Sequence, residues 1–475
     1  MRAEPQVAPY RPDTPILTIA GWLADPVEPA RFPMHELRFR NRRWDKAVGL
    51  DGLSDERWVE HMARFAPLAD NLPQPLALRY HGHQFRVYNP QIGDGRGFTF
   101  AQLRDAAKEQ GGRLLDLGTK GSGPTPYSRT ADGRLTLKGA VREILATEML
   151  EALGVYTSKT FSVVETGEQL VRGDEPSPTR SAVLVRLSHS HIRIGSFQRL
   201  AALEQNDHIA ELVEYCLAQF PGPLPPEDAP GSDQPAVILL HQAVERLADL
   251  AASYMVAGFV HGVLNSDNMN VTGESFDYGP WRFLPRWEPQ FTAAYFDHSG
   301  LYAFGRQPEA IHWNLAQLAI ALRPICEAPP LMAALERFGP LYQAAMRRRF
   351  CWRLGMANLS PERDLALIEA AERTMREAQV GPDAFFFAQR GGRKADGPLA
   401  EALKGYQPLD SSHAYWDEVP QSMLIDEVEA IWSAIAERDD WQPLADKIVA
   451  IRRMGEALGE APAPAGHNPA VHWHG

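Results

Sequence analysis

The sequence predicts an α+β chain built as two lobes, a smaller strand-rich N-terminal lobe and a larger helical C-terminal lobe. Three observations point there. Between about residues 75 and 200, short apolar runs alternate with glycine-containing turns, as strands do. Beyond about residue 200, apolar residues recur at helical spacing over long segments. A length of 475 residues is also too great for one small domain.

Residues 1–70 read as an N-terminal arm packed on the body, its first 60 residues Pro- and Arg-rich and irregular. The strand-rich lobe is expected over 71–200 and carries a candidate nucleotide loop. "RLLDLGTK" (113–120) reads as a short strand with the turn material "GSGPTP" behind it. "LKGAVREILATEMLEALG" (137–154) reads as a helix, because Val141, Ile144, Leu145, Met149 and Ala152 share a face and Gly154 stands at its end. "FSVVETGEQLVRG" (161–173) reads as a hairpin turning at Thr166 and Gly167, and "SAVLVRLS" (181–188) as another strand. The helical lobe is expected over 201–457. Its "HQAVERLADLAASYMVAGF" (241–259) reads as a long helix, with further helices near 311–326, 330–354, 361–378 and 420–457. The Pro-, Gly- and acid-rich residues 221–235 read as a loop between helices. Residues 458–475 read as a disordered tail whose three histidines are untethered rather than a metal site.

Composition narrows the function. Sixty acidic against 48 basic side chains give a formal charge of −12, which argues against nucleic acid or an anionic membrane as the main partner. Cys216, Cys326 and Cys351 are far apart and form no CxxC pair, so neither a zinc site nor a disulfide framework is expected. No basic segment followed by an apolar core opens the chain, and no apolar run approaches the ~20 residues of a membrane span. A cytoplasmic location is the expectation.

The chemistry concentrates in "HGVLNSDNMNVTGESFDYGP" (261–280). A phosphoryl-transfer site needs oxygen ligands for Mg2+, a cation on the phosphates and a group that positions the nucleophile. In kinases the catalytic loop carries an Asp, an Asn five residues later, and a second Asp in a D-F-G turn. Here Asn268 lies in that register and Asp277 of "DYG" takes the D-F-G place, making both candidate metal ligands. Val263 stands where the kinase base would be, but Asp267 has appeared beside Asn268, where a carboxylate reaches a hydroxyl nucleophile. A polar turn capped by Asp267 and Asn268 is the structural alternative.

Upstream, "QIGDGRG" (91–97) is glycine-rich, either a phosphate-cradling loop or a plain turn. Lys120 ends a strand and Glu143 lies in the next helix, the arrangement by which kinases hold a lysine against phosphate. Arg186 sits within an apolar strand and Arg193 seven residues on, between Ile192 and Ile194. Arginines in such surroundings want a bidentate anion, either a structural carboxylate or a ligand phosphate. The fold class is therefore refined to α+β, protein-kinase-like and bilobal.

These residues together resemble the selenoprotein O family, also called the YdiU family, of kinase-like protein adenylyltransferases. The similarity runs from about residue 75 to 325 through "GHQF", "IGDGRG", "GSGPTPYSRTADGR", "VREIL", "HSHIRIGSF", "HGVLNSDNMNV", "DYGP" and "YAFGRQPEAIHWNLAQLA". The resemblance implies ATP bound in reverse as co-substrate, with its γ-phosphate in an inner pocket and its α-phosphate facing the nucleophile. It implies that Arg186 and Arg193 clamp the terminal phosphates, with Lys120 oriented by Glu143. Gly93, Gly95 and Arg96 match the family's nucleotide loop, and Asp132 and Gly133 match further nucleotide contacts. Asp267 matches the catalytic base, and Asn268 and Asp277 match the ligands of Mg2+ or Mn2+, Asp277 also touching the nucleotide. The implied reaction is AMP transfer to Ser, Thr or Tyr hydroxyls of protein partners, the chain itself being one candidate, with release of pyrophosphate.

The chain departs from the family in three places. His81 and Arg86 replace glycines in "YHGHQFRVYNPQIGDGRG" (80–97), and "FAQLRDAAKEQGG" (100–112) reads as an insertion. The family's C-terminal segment with its redox-active Cys or selenocysteine has no counterpart after Cys351, so redox gating through it is not expected. A conventional phosphotransferase and a non-catalytic nucleotide-binding protein remain the alternative readings of the same residues.

Overall fold

A computed structural model describes residues 9–105, 112–173 and 175–462. The tail residues beyond 462, with the three histidines, lie outside the described residues, as do residues 106–111 of the insertion read at 100–112; its residues 100–104 are no insertion but part of a strand of the sheet. The chain is α+β, and its sheet is formed from β1 (Ala24–Pro26), β2 (Glu36–Arg40), β3 (Leu76–Leu78), and, after a small hairpin of β4 (Gly82–Gln84) and β5 (Val87–Asn89), β6 (Thr99–Arg104), β7 (Leu114–Lys120), β8 (Leu135–Thr136), β9 (Lys159–Leu170) and β10 (Thr179–Ser188). The order across the sheet is β1-β3-β6-β7-β10-β9-β2, with β8 also on β10, and each described pairing within it is antiparallel. The stretch read as an irregular arm thus supplies both edge strands, β1 and β2. Their brevity hid them, since three to five residues carry no readable alternation.

β7 and β10 lie at the centre and are covered on both faces. Leu115, Leu117, Val183, Val185 and Leu187 join a dry cluster with Trp44, Trp58 and Phe161 on one face. The other face carries Asp116, Gly118, Lys120, Arg186 and Ser188, because side chains alternate along a strand. The hairpin expected at Thr166 and Gly167 is not there. β9 runs straight through to Leu170, and the chain turns between Val171 and Pro178. Gly167, at φ 76°, marks instead a shift of register between β9 and β10.

The helix Leu137–Ala152 begins at Thr136, whose hydroxyl accepts from Gly139 N (3.1 Å), and buries Val141, Ile144, Leu145 and Met149. Two C-terminal helices, Ile425–Arg438 and Gln442–Leu458, hold it in place. Arg452 pairs with Glu148 (2.6 Å), Lys138 with Glu429 (2.7 Å), and Gly455 lies against Ala152. The long helix Pro235–Ala257 has Pro at its first turn and ends at Gly258 in the left-handed region (φ 67°). It is buried almost throughout, packed against the helices Gln307–Leu322 and Phe338–Leu354. Among the described residues no helix is long and apolar enough to cross a membrane.

Candidate active site

Gly258 turns the chain out of the long helix into Phe259–Val260, which pair with Arg282–Phe283 and close the base of the loop between them. Inside that loop, the buried His261 meets Phe276 O with Nε2 (3.1 Å), so the two limbs are tied together. Val263 contributes its carbonyl, which accepts from Asn268 Nδ2 (3.0 Å). That bond fixes the Asn268 amide and turns its oxygen the other way.

Asp267 sits in the short turn Ser266–Asn268, only 8% exposed, with Oδ1 lacking a partner. The β4–β5 hairpin presses on this turn. His83 N donates to Ser266 Oγ (2.7 Å) and Phe85 N to Asn265 Oδ1 (3.0 Å). Gly82 lets the hairpin approach closely, since a Cβ would stand 3.1 Å from Asp267 Oδ1. Burial pushes the Asp267 carboxyl up to about 6, against the pull of the Arg193 charge.

Asp277 is moved the opposite way. Its backbone is left-handed (φ 64°) and its carboxylate pairs with Lys120 Nζ (2.8 Å). Burial acts to raise it, yet Lys120, Arg186, Arg96 and Arg193 together hold it well below the usual carboxylate range. Lys120 also pairs with Glu143, and both are buried. Three of the candidates, Lys120, Glu143 and Asp277, are therefore in one contact network.

Arg193 joins Asp267 to the glycine-rich loop, donating to Asp267 O (3.1 Å) and to Asp94 Oδ1 (3.1 Å). Arg186 is 4% exposed, and its Nε and Nη1 have no partner. Both guanidinium groups lie over the Phe276 ring, Arg186 at 5.4 Å and Arg193 at 4.9 Å from its centroid. Glu274 lies within electrostatic reach of Arg186, but burial pushes its carboxyl up to about 8 against the pull of Lys159 and Arg186. A buried guanidinium with unmet donors is costly unless a ligand supplies an anion.

The glycine-rich loop packs where a side chain has no room. A Cβ at Gly93 would meet the Tyr127 ring at 2.4 Å, and Gly95 lies against the Tyr127 carbonyl. Arg96 is exposed, its charge felt by Asp277. Asp132 pairs with Arg172 (2.9 Å) and caps Arg134 N (2.9 Å), while Gly133 (φ 68°) packs on Gly123, so this pair is engaged outside the Lys120–Asp277 network. Sequence reasoning missed Asp94, the carboxylate within "IGDGRG". Its one signal in the sequence was an acid standing between two glycines of that loop.

The donor set fits Mg2+: a fixed amide oxygen on Asn268 and a carboxylate on Asp277 that stays ionised. Among the described residues no three His, Cys, Asp or Glu side chains stand together as a metal cage, so phosphates and water would complete the shell.

A strand lysine paired with a helix glutamate, two buried arginines and a buried carboxylate beside them are the equipment of a nucleotide-using transferase. Residues 14–398 match the family described as Protein adenylyltransferase SelO. A protein nucleotidyltransferase YdiU from Synechococcus elongatus is 40% identical, covering 95% of this chain and 96% of that protein. Those from Synechocystis sp. and Trichodesmium erythraeum are each 41% identical, covering 89% and 91% of this chain and 94% and 96% of theirs. The chain belongs to the SelO family of protein adenylyltransferases.

Proposed function

We propose that the chain transfers AMP from ATP to Ser, Thr or Tyr hydroxyls of proteins, in the cytoplasm and with Mg2+, through a flipped nucleotide. One observation carries the reading. A buried cation with unmet donors, Arg186, and a buried carboxylate with an unmet oxygen, Asp267, are linked through Arg193. Outer phosphates lying on the two arginines leave the α-phosphorus for a hydroxyl at Asp267. The sheet and the helical region are then the two lobes of a kinase-like fold with the nucleotide between them.

Asp267 takes the hydroxyl proton, and its raised value keeps it a useful base near neutrality. The hydroxyl oxygen attacks the α-phosphorus in line. The bond from that phosphorus to the bridging oxygen breaks, and its electron pair leaves with pyrophosphate. Arg186, Arg193 and Lys120 stabilise the departing charge. Asn268 and Asp277 would hold the metal, which supplies further neutralisation of the phosphates. Glu143 and the C-terminal helices keep Lys120 in position.

Incubation with α-labelled and, separately, γ-labelled ATP tests this. Label on protein from the α-position alone is expected. Label from the γ-position alone would favour a conventional phosphotransferase, which the Lys120–Glu143 pair equally equips.

A further inference from the structure

Around Gly118 the inner face of the sheet holds a convergent set of buried polar atoms without partners. They are Arg186 Nε and Nη1, Arg193 Nε, Ser188 Oγ, Thr99 Oγ1 and His191 Nε2. Gly118 stands opposite Arg186 on one neighbouring strand and Thr99 on the other, so these side chains share a face. The His191 ring lies against Gly118, where a Cβ would come within 2.5 Å of its Cε1 and Nε2. It also reaches the Phe276 ring, centroids 6.5 Å apart, on which both arginines lie.

His191 is held from behind. Its Nδ1 meets Asp116 Oδ2 (3.1 Å), and the other Asp116 oxygen accepts from Gln102 Nε2 (2.7 Å). Gln102 in turn accepts from the backbone of Ile16 (3.0 Å). An imidazole facing a carboxylate carries its proton on Nδ1 and offers Nε2 to whatever stands in front. With a proton on each nitrogen the ring would donate from Nδ1 to Asp116 and from Nε2 to a phosphate oxygen. A single orphaned polar atom has many structural explanations, but a cluster bearing two guanidinium groups and an imidazole has an anion as its common one.

We propose that His191, positioned by Asp116, receives the terminal phosphate of the bound nucleotide and sets the preference for a triphosphate over a diphosphate or monophosphate. The proposal rests on the flipped-nucleotide reading above. Ser188 and Thr99 complete the wall of this subsite with their hydroxyls.

Binding of ATP, ADP and AMP with Mg2+ to the full chain by calorimetry tests it, comparing wild type with His191→Asn and Asp116→Asn. His191→Asn is expected to weaken ATP about tenfold or more, the effect of a lost charge-assisted hydrogen bond, while leaving AMP within about twofold. Asp116→Asn shifts the same ratio in the same direction. In turnover, the KM for ATP rises while kcat at saturation changes little. Equal weakening of ATP and AMP, or an unchanged ATP-to-ADP ratio, overturns the assignment. If His191→Asn fails to fold, Ser188→Ala with Thr99→Val carries the test, with selective loss of ATP expected and a uniform loss or no loss overturning it. The labelling experiment separates the two levels. Transfer of γ-label sinks the flipped reading and this subsite with it, whereas transfer of α-label with an unchanged ratio sinks His191 alone.

Discussion

The two faces of β7 and β10 are equally buried and chemically opposite. One face offers Leu115, Leu117, Val183, Val185 and Leu187 to an aromatic and aliphatic cluster, and Thr119 on that face accepts from Phe98 N (3.0 Å). The other offers Asp116, Gly118, Lys120, Arg186 and Ser188, of which Arg186 and Ser188 carry atoms that no described residue satisfies. Burial alone therefore does not tell core from site. On β10 the unmet donors of Arg186 mark the difference, because a fold gains nothing from a buried guanidinium without a partner.

The two faces should separate stability from activity when either is altered. The largest effect is expected at the loop that faces the polar side. Asp267→Asn lowers kcat for AMP transfer by about 10² to 10⁴, the usual contribution of a general base, without lowering the melting temperature. Labelled transfer and calorimetry on the same preparation check both halves. On the dry face, Leu117→Ala costs about 2–5 kcal/mol of stability, as large-to-small core changes do. Its kcat/KM, measured well below its melting temperature, stays within about threefold of wild type.

A smaller effect sharpens the contrast through pH. The Asp267 carboxyl is raised in the folded state from 3.8 to about 6. The folded chain thus holds this proton more tightly than the unfolded chain. Ionised Asp267 costs stability that is fully felt above about pH 6 and vanishes below pH 3.8. Asp267→Asn removes the cost, so denaturant titration should find the variant more stable by up to about 3 kcal/mol at pH 8 and equal to wild type near pH 4. Wild-type activity correspondingly rises through about pH 6 as the base ionises.

Much of this was legible in the sequence, for identifiable reasons. The helix Leu137–Ala152 announced itself by periodicity and by Gly154 at its end, and the long helix Pro235–Ala257 by periodicity alone, its start read late at 241 and its end carried past Gly258 to 259. Lys120, Glu143 and Asp277, which the structure brings into one contact network, were singled out because their spacing follows a known chemical requirement. What escaped depends on pairing across the sheet. No local pattern says that Gly118 stands opposite Arg186, that His191 folds back onto it, or that Asp94 meets Arg193. The turn placed at Thr166 and Gly167 failed for the same reason, since a glycine at positive φ serves a bulge as well as a hairpin.

Arg186→Met distinguishes a residue kept for a ligand from one kept for the fold. Methionine fills similar space without the unmet donors, so the free variant should melt at or above the wild-type temperature. Addition of ATP with Mg2+ should raise the melting temperature of wild type and leave the variant almost unmoved. A variant that melts as low as Leu117→Ala yet keeps the full ATP-induced rise would show that the polar face serves the fold and that the phosphates bind elsewhere.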